Sequence, residues 1–232
     1  MPRNQFIVLV LKNPSLLLRK PEGFQIFIDT LQQFLPVTRS QILRAIRRSP
    51  QILSLLPKPL SEKLTALSSL INAPLPELTH AAINFPPLFY LNSPKILVTL
   101  QTAASALNIP LEDFVTTALR MPSLMAREPL AMARKVRLVI RIARALDIDL
   151  DPSIALRKCP ALPTYAQDRL LIRWLVVKLG LWSWSWDALI PRSDAKIHAL
   201  LQDYANSLPS NGTRHVKLRA IVNRRMRGFT IS

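Results

Sequence analysis

The sequence predicts an all-α protein, a right-handed-type α-solenoid (superhelix) of about five to six two-helix repeats joined by Pro-Leu turns. Three observations carry this expectation. Pro14, Pro50, Pro86, Pro122 and Pro160 stand 36, 36, 36 and 38 residues apart, inside the related phrases KNPSLLLR, RSPQILSL, NFPPLFYL, RMPSLMAR and KCPALPTY. Apolar residues recur at fixed offsets from those prolines. Finally, 20 prolines against 4 glycines describe helices cut at set points rather than a sheet built on glycine turns.

Each unit begins with its proline. The second residue after it is Leu16, Ile52, Leu88, Leu124 or Leu162, expected to fold back onto the core. A first helix of about twelve to fourteen residues follows, and its fourteenth position holds Ile28, Leu64, Leu100, Val136 or Trp174. The best-formed stripes are Leu60, Leu64, Leu67, Leu70 and Ile71, then Leu100, Ala103, Ala104 and Leu107. Connectors such as NAPLPE, NIPLED and DIDLDP come next, and the two extra residues of the last interval fit best there, because loops absorb insertions cheaply.

The second helix is shorter. Gln5, Gln41, Glu77, Asp113 and Asp151 stand nine residues before each proline and mark its start. Val10, Ile46, Ala82, Ala118 and Leu156, four before, and Leu9, Ala45, Ala81, Thr117 and Ala155, five before, form its buried stripe. Proline then stops it, lacking an N–H and disfavouring helix in the residue ahead. One helix pair cannot bury its apolar face alone, so neighbours must stack. The expected division is a helical-repeat domain over 1–206 and a basic tail or capping helix over 207–232.

Charge narrows the function. The chain holds 31 basic and 14 acidic residues, net +17. Residues 1–50, 121–146 and 188–232 carry the excess (+6, +5 and +6), while 51–120 and 147–187 are neutral. Such a balance points to a polyanion, since releasing condensed counterions drives binding. A helical scaffold for an acidic protein partner remains the alternative from another class.

Other classes find little support. One cysteine, Cys159, excludes an internal disulfide and a multi-cysteine zinc site, and reads as a packed apolar residue. His80, His198 and His215 lie far apart, and Asp147, Asp149 and Asp151 lack the glycine and terminal glutamate of a calcium loop, so helix capping is the better reading. No phosphate-binding glycine loop or nucleophile elbow occurs. The expectation is no catalytic residue, no cofactor and no metal. No apolar run is long enough for a membrane span or a signal-peptide core, which predicts a soluble intracellular chain.

The stretch RSPQILSL through LSEKLTALSSLINAPLPELTHAAINFPPLFYL resembles the mitochondrial transcription termination factor (mTERF) family, whose units end in a proline, turn through leucines and continue with a long and a short helix. The resemblance covers residues 4 to about 200, and WSWSWDALIPRSDAKIHALL is similar to that family's C-terminal segment, with Pro191 and Arg192 as its Pro-Arg pair. It implies a superhelix that binds double-stranded nucleic acid on a basic surface, with members acting in transcription termination, initiation or ribosomal RNA handling; the leading expectation for this chain is double-stranded DNA, bound as a termination-type roadblock meeting the transcription machinery. Structured or ribosomal RNA is the alternative ligand. A monomer is expected, in a mitochondrion or plastid for a trimmed member, or in cytoplasm or nucleoid for a chain complete as given.

The expected contacts follow the repeat. Lys12, Arg48, Asn84, Arg120 and Lys158 stand two residues before each proline, and Arg47 and Arg157 reinforce two of them. Stacked at roughly 10 Å per layer, five rungs would span roughly 50 Å, the length of roughly 15 base pairs. The competing role for such cations is to complement the dipole at a helix C-terminus. A second set, Lys63, Lys135 and Arg173, shares the thirteenth position after proline, and Arg134, Arg137, Arg141 and Arg144 recur at helical spacing. The tail adds Arg214, Lys217, Arg219, Arg224, Arg225 and Arg227. Trp182, Trp184 and Trp186 are expected to pack rather than stack on bases, while Phe89 and Tyr90 stay ambiguous.

Overall fold

A computed structural model describes residues 21–144, 148–179, 181 and 194–207. Among them are ten α-helices and four 3-10 turns, and no strand. In chain order the helices are α1 (Pro21–Phe34), α2 (Arg39–Arg48), α3 (Pro57–Leu70), α4 (Leu75–Asn84), α5 (Ser93–Leu107), α6 (Leu111–Arg120), α7 (Pro129–Arg144), α8 (Pro152–Lys158), α9 (Gln167–Lys178) and α10 (Asp194–Ser207). None is long and apolar enough to cross a membrane. The phrase around Pro14, the three alternating tryptophans and the basic tail lie outside the described residues.

The recurring proline phrase makes one turn four times. Each short helix ends on a residue that has left helical backbone, at φ −143° for Ser49, −131° for Phe85, −131° for Met121 and −133° for Cys159. A following proline disfavours the helical region for the residue ahead of it. These residues still donate to the carbonyl four back, as in Ser49 N to Ala45 O at 2.9 Å and Phe85 N to Ala81 O at 2.8 Å. The proline donates nothing. The amide two residues past it then closes a 3-10 bond onto the pre-proline carbonyl: Ile52 to Ser49, Leu88 to Phe85, Leu124 to Met121 and Leu162 to Cys159. This bond turns Ile52, Leu88, Leu124 and Leu162 inward, and all four are buried. Burying each such side chain is worth about 1.5–3 kcal/mol.

Long helices end on a second repeated device. Asn72 and Asn108, again 36 residues apart, adopt the left-handed conformation at φ 50° and 55°. The next amide reaches back five residues, Ala73 N to Ser68 O at 2.9 Å and Ile109 N to Ala104 O at 3.1 Å. Asparagine tolerates this backbone better than most residues with a Cβ, and the bonds satisfy carbonyls that a helix end leaves open. Ile148 N to Ala143 O and Leu181 N to Val176 O close the same bond after α7 and α9.

The chain divides into two compact units, Met1–Ala133 and Arg134–Ser232, with the boundary inside α7. In the first unit, α1 packs on α3 and α3 on α5, while α2 packs on α4 and α4 on α6. Long helices therefore neighbour long ones and short helices short ones. The shared seam holds Ile28, Leu64 and Leu100 from the long row and Ala45, Ile46, Ala81, Ala82 and Ala118 from the short row, all buried. Small residues dominate the short-row stripe. In the second unit α9 packs on α10 through Ile172, Val176, Ile197 and Leu201.

Several boundaries differ from expectation. The polar residue nine before proline is not the first helical residue but the third: Gln41, Glu77 and Asp113 sit at that place in α2, α4 and α6. There Gln41 completes a capping box, its Oε1 accepting from Thr38 N at 2.7 Å while Thr38 Oγ1 accepts from Gln41 N at 3.3 Å. Third-position carboxylates instead favour the positive helix start. Asp151 is the cap itself, accepting from Ser153 N at 2.8 Å and Ile154 N at 3.1 Å. In the last interval the short helix α8 has 7 residues, against 10 in each of α2, α4 and α6. Leu70, expected in the buried stripe, is 43% exposed, one turn past the seam.

Candidate nucleic-acid interface

The cations two residues before proline end α2, α6 and α8. Arg48 Nη1 donates to the backbone carbonyl of Asn84 at 2.8 Å and to Asn84 Oδ1 at 3.2 Å. The acceptor occupies the equivalent place one repeat later, 36 residues on. A cation placed here therefore closes an open carbonyl at the end of α4, and also complements the dipole of its own helix. Arg48, Asn84 and Arg120 converge on one open groove of about 880 Å³ between α4 and α6, together with Glu77, His80 and Ser123. Three of the five expected rungs thus line one groove, while Lys158 ends α8 and Lys12 lies outside the described residues.

Charge decides what that groove offers. The C-terminal ends of α2, α4 and α6 meet there, each carrying about −0.5 charge. Glu77 adds a further negative charge. Against these stand two guanidinium groups, Arg48 and Arg120, with His80 counted neutral. The sum is close to zero, so the groove is weakly polar rather than a strong anion track.

Lys63 and Arg173, the thirteenth-position cations, are drawn toward the protein. Lys63 Nζ donates to Phe89 O at 3.1 Å, tying α3 to the next repeat's turn, and burial pushes its ammonium below the ordinary lysine value. Arg173 is 2% exposed, and its Nη1 donates to Arg169 O at 3.1 Å. It is therefore corrected from a phosphate contact to a buried helix residue, since its guanidinium does not face solvent. Lys135, at the same position in α7, is half-buried.

Among the described residues, α7 carries the densest run of cations. Arg134, Arg137, Arg141 and Arg144 are exposed and share one narrow face, at i, i+3, i+7 and i+10. At 1.5 Å per residue they extend over about 15 Å. With Lys135 they line a groove of about 490 Å³, whose remaining described lining residues are Leu138, Ile140 and Gln167, the first residue of α9. None of its described lining residues is a carboxylate. Its described lining carries five cations and no anionic side chain, whereas two cations beside Arg48 are offset by Glu77 and three helix ends.

The remaining expected contacts are dispersed. Arg47 is exposed, with its Nε donating to Leu43 O at 3.3 Å, and Arg157 and Lys158 are exposed in the last turn of α8. Lys12, Arg192, Arg219, Arg224 and Arg225 lie outside the described residues. Phe89 is buried and Tyr90 exposed, which divides that pair between packing and surface. Cys159 is buried and free of a disulfide. Among the described residues no cluster of three His, Cys, Asp or Glu could hold a metal ion. Sequence reasoning missed Gln167. Nothing in its local pattern marks it, because only packing brings the start of α9 beside the arginines of α7.

Compared with models of protein families, with curated proteins and with solved structures, the chain matches none.

Proposed function

We propose that this chain is a non-catalytic nucleic-acid-binding α-solenoid of the mTERF type, and that it grips double-stranded DNA and regulates transcription as an obstacle to polymerase. The observation that carries the reading is the stripe of Arg134, Arg137, Arg141 and Arg144 along one face of α7, lining a groove whose described side chains include five cations. Guanidinium groups in a row about 15 Å long match roughly four base pairs of backbone rise. The repeated turns and the 36-residue spacing support the solenoid and the family resemblance. In this reading the α7 cations hold phosphate, while Arg48 and Lys63 chiefly join successive repeats.

Competition tests it. The full chain is bound to a labelled duplex DNA of about 20 base pairs, then challenged with unlabelled DNA duplex, RNA duplex of the same sequence, and polyglutamate. Displacement by DNA at the lowest concentration supports the proposal. Displacement first by RNA transfers the same surface to structured RNA, and displacement first by polyglutamate supports an acidic protein partner instead.

A further inference from the structure

Resting on the nucleic-acid reading of the α7 groove, we propose that Gln167 reads sequence there, recognising the adenine of an A·T pair from the major groove. The five cations in the groove can position a backbone but carry no sequence information, because every nucleotide presents the same phosphate. Three of the described lining residues are not cationic: Gln167, Leu138 and Ile140. Their chemistry is not arbitrary. A carboxamide donates to adenine N7 and accepts from adenine N6 as one bidentate pair, and an apolar side chain suits the thymine methyl on the same groove edge. Guanine and cytosine offer no methyl and reverse part of the donor pattern.

Position suits the role. Gln167 is exposed and opens α9, whereas the arginines stand on α7 at the other lip of the groove. In this proposal a duplex held by the α7 arginines presents a base edge to Gln167, and Leu138 and Ile140, both half-buried, line the same groove. Backbone contact and base contact are thus assigned to different helices.

The test uses the full chain and a duplex library with a randomised central segment, sequenced before and after selection on the protein. Wild type is expected to enrich A·T at one position by about 5-fold to 150-fold, the range of one good bidentate contact. Gln167→Ala is expected to abolish that enrichment while leaving the salt dependence of binding unchanged. Gln167→Glu is expected to shift the preference toward cytosine, whose N4 donates to a carboxylate. On the selected duplex, replacing the adenine by 7-deazaadenine is expected to weaken wild type but not Gln167→Ala. Unfolding midpoints of both variants check that they fold. Flat enrichment in wild type, or enrichment retained in Gln167→Ala, overturns the assignment to Gln167 with duplex binding intact. A salt-independent or absent interaction overturns the nucleic-acid reading beneath it.

Discussion

Arg48→Ala separates a cation that holds the protein together from one that holds a ligand. The substitution removes the bonds from Arg48 Nη1 to Asn84 O and Oδ1 at 2.8 and 3.2 Å. A charge-assisted hydrogen bond is worth about 1.5–3 kcal/mol when desolvated. Both residues are exposed, so solvent screening reduces this to about 0.5–1 kcal/mol. Losing the cation at the C-terminus of α2 adds about 0.3–0.5 kcal/mol. The expected loss is therefore about 1–1.5 kcal/mol, a fall in Tm of about 2–6 °C. Urea denaturation followed by circular dichroism reads it, with Arg44→Ala as control. Arg44 is exposed on the same helix, and its removal changes net charge equally. The control should move stability by less than about 0.5 kcal/mol. An unchanged midpoint in Arg48→Ala, coupled with a large loss of duplex affinity, would refute the inter-repeat role.

Three further outcomes follow from the same geometry. Leu88→Ala, at a fully buried turn position, should cost about 2–5 kcal/mol in the same denaturation assay, and more than Leu70→Ala at its exposed site. Asn108→Gly should be nearly neutral or stabilising, whereas Asn108→Val should lose at least about 1–2 kcal/mol, because φ 55° opposes a β-branched residue. Lys63 gives a pH signature. Its folded value lies below its unfolded one, so between the two the unfolded chain binds more protons and stability rises with pH. Lys63→Met should flatten that rise when unfolding midpoints are followed as pH climbs toward the ordinary lysine value.

Much of the fold was legible because the repeat supplies several readings of each position. Leu or Ile two residues past proline and the apolar residue fourteen past it are buried wherever their side chains are described, and so are the pairs four and five before proline. Helix starts were displaced by two residues because acidic and amide side chains favour the third helical position as well as the cap. Asp151, the cap of α8, shows both roles within one repeat family. The asparagines at 72 and 108 carried a signal that was readable but passed over: a 36-residue recurrence of a residue type that accepts positive φ.

The site was harder to read than the fold. Position thirteen lies three residues after Leu60 and four before Leu67, so on a helix it flanks the buried stripe. That placement draws Lys63 inward and accompanies the burial of Arg173. The spacing two before proline identified real neighbours, yet three helix C-termini meet there, and their dipoles offset the cations. Local sequence does not state that offset. The α7 stripe, by contrast, was visible in the spacing of its arginines, since a single helix settles their common face.

The most direct measurement of the central claim is the salt dependence of duplex affinity for the wild-type chain beside Arg141→Gln/Arg144→Gln. If the five α7 cations each neutralise a phosphate, log affinity should fall against log salt with a slope near −4.5 (about −0.9 per contact), and the double variant should be shallower by about 2. A flat wild-type response, or a double variant with the wild-type slope, would contradict the account.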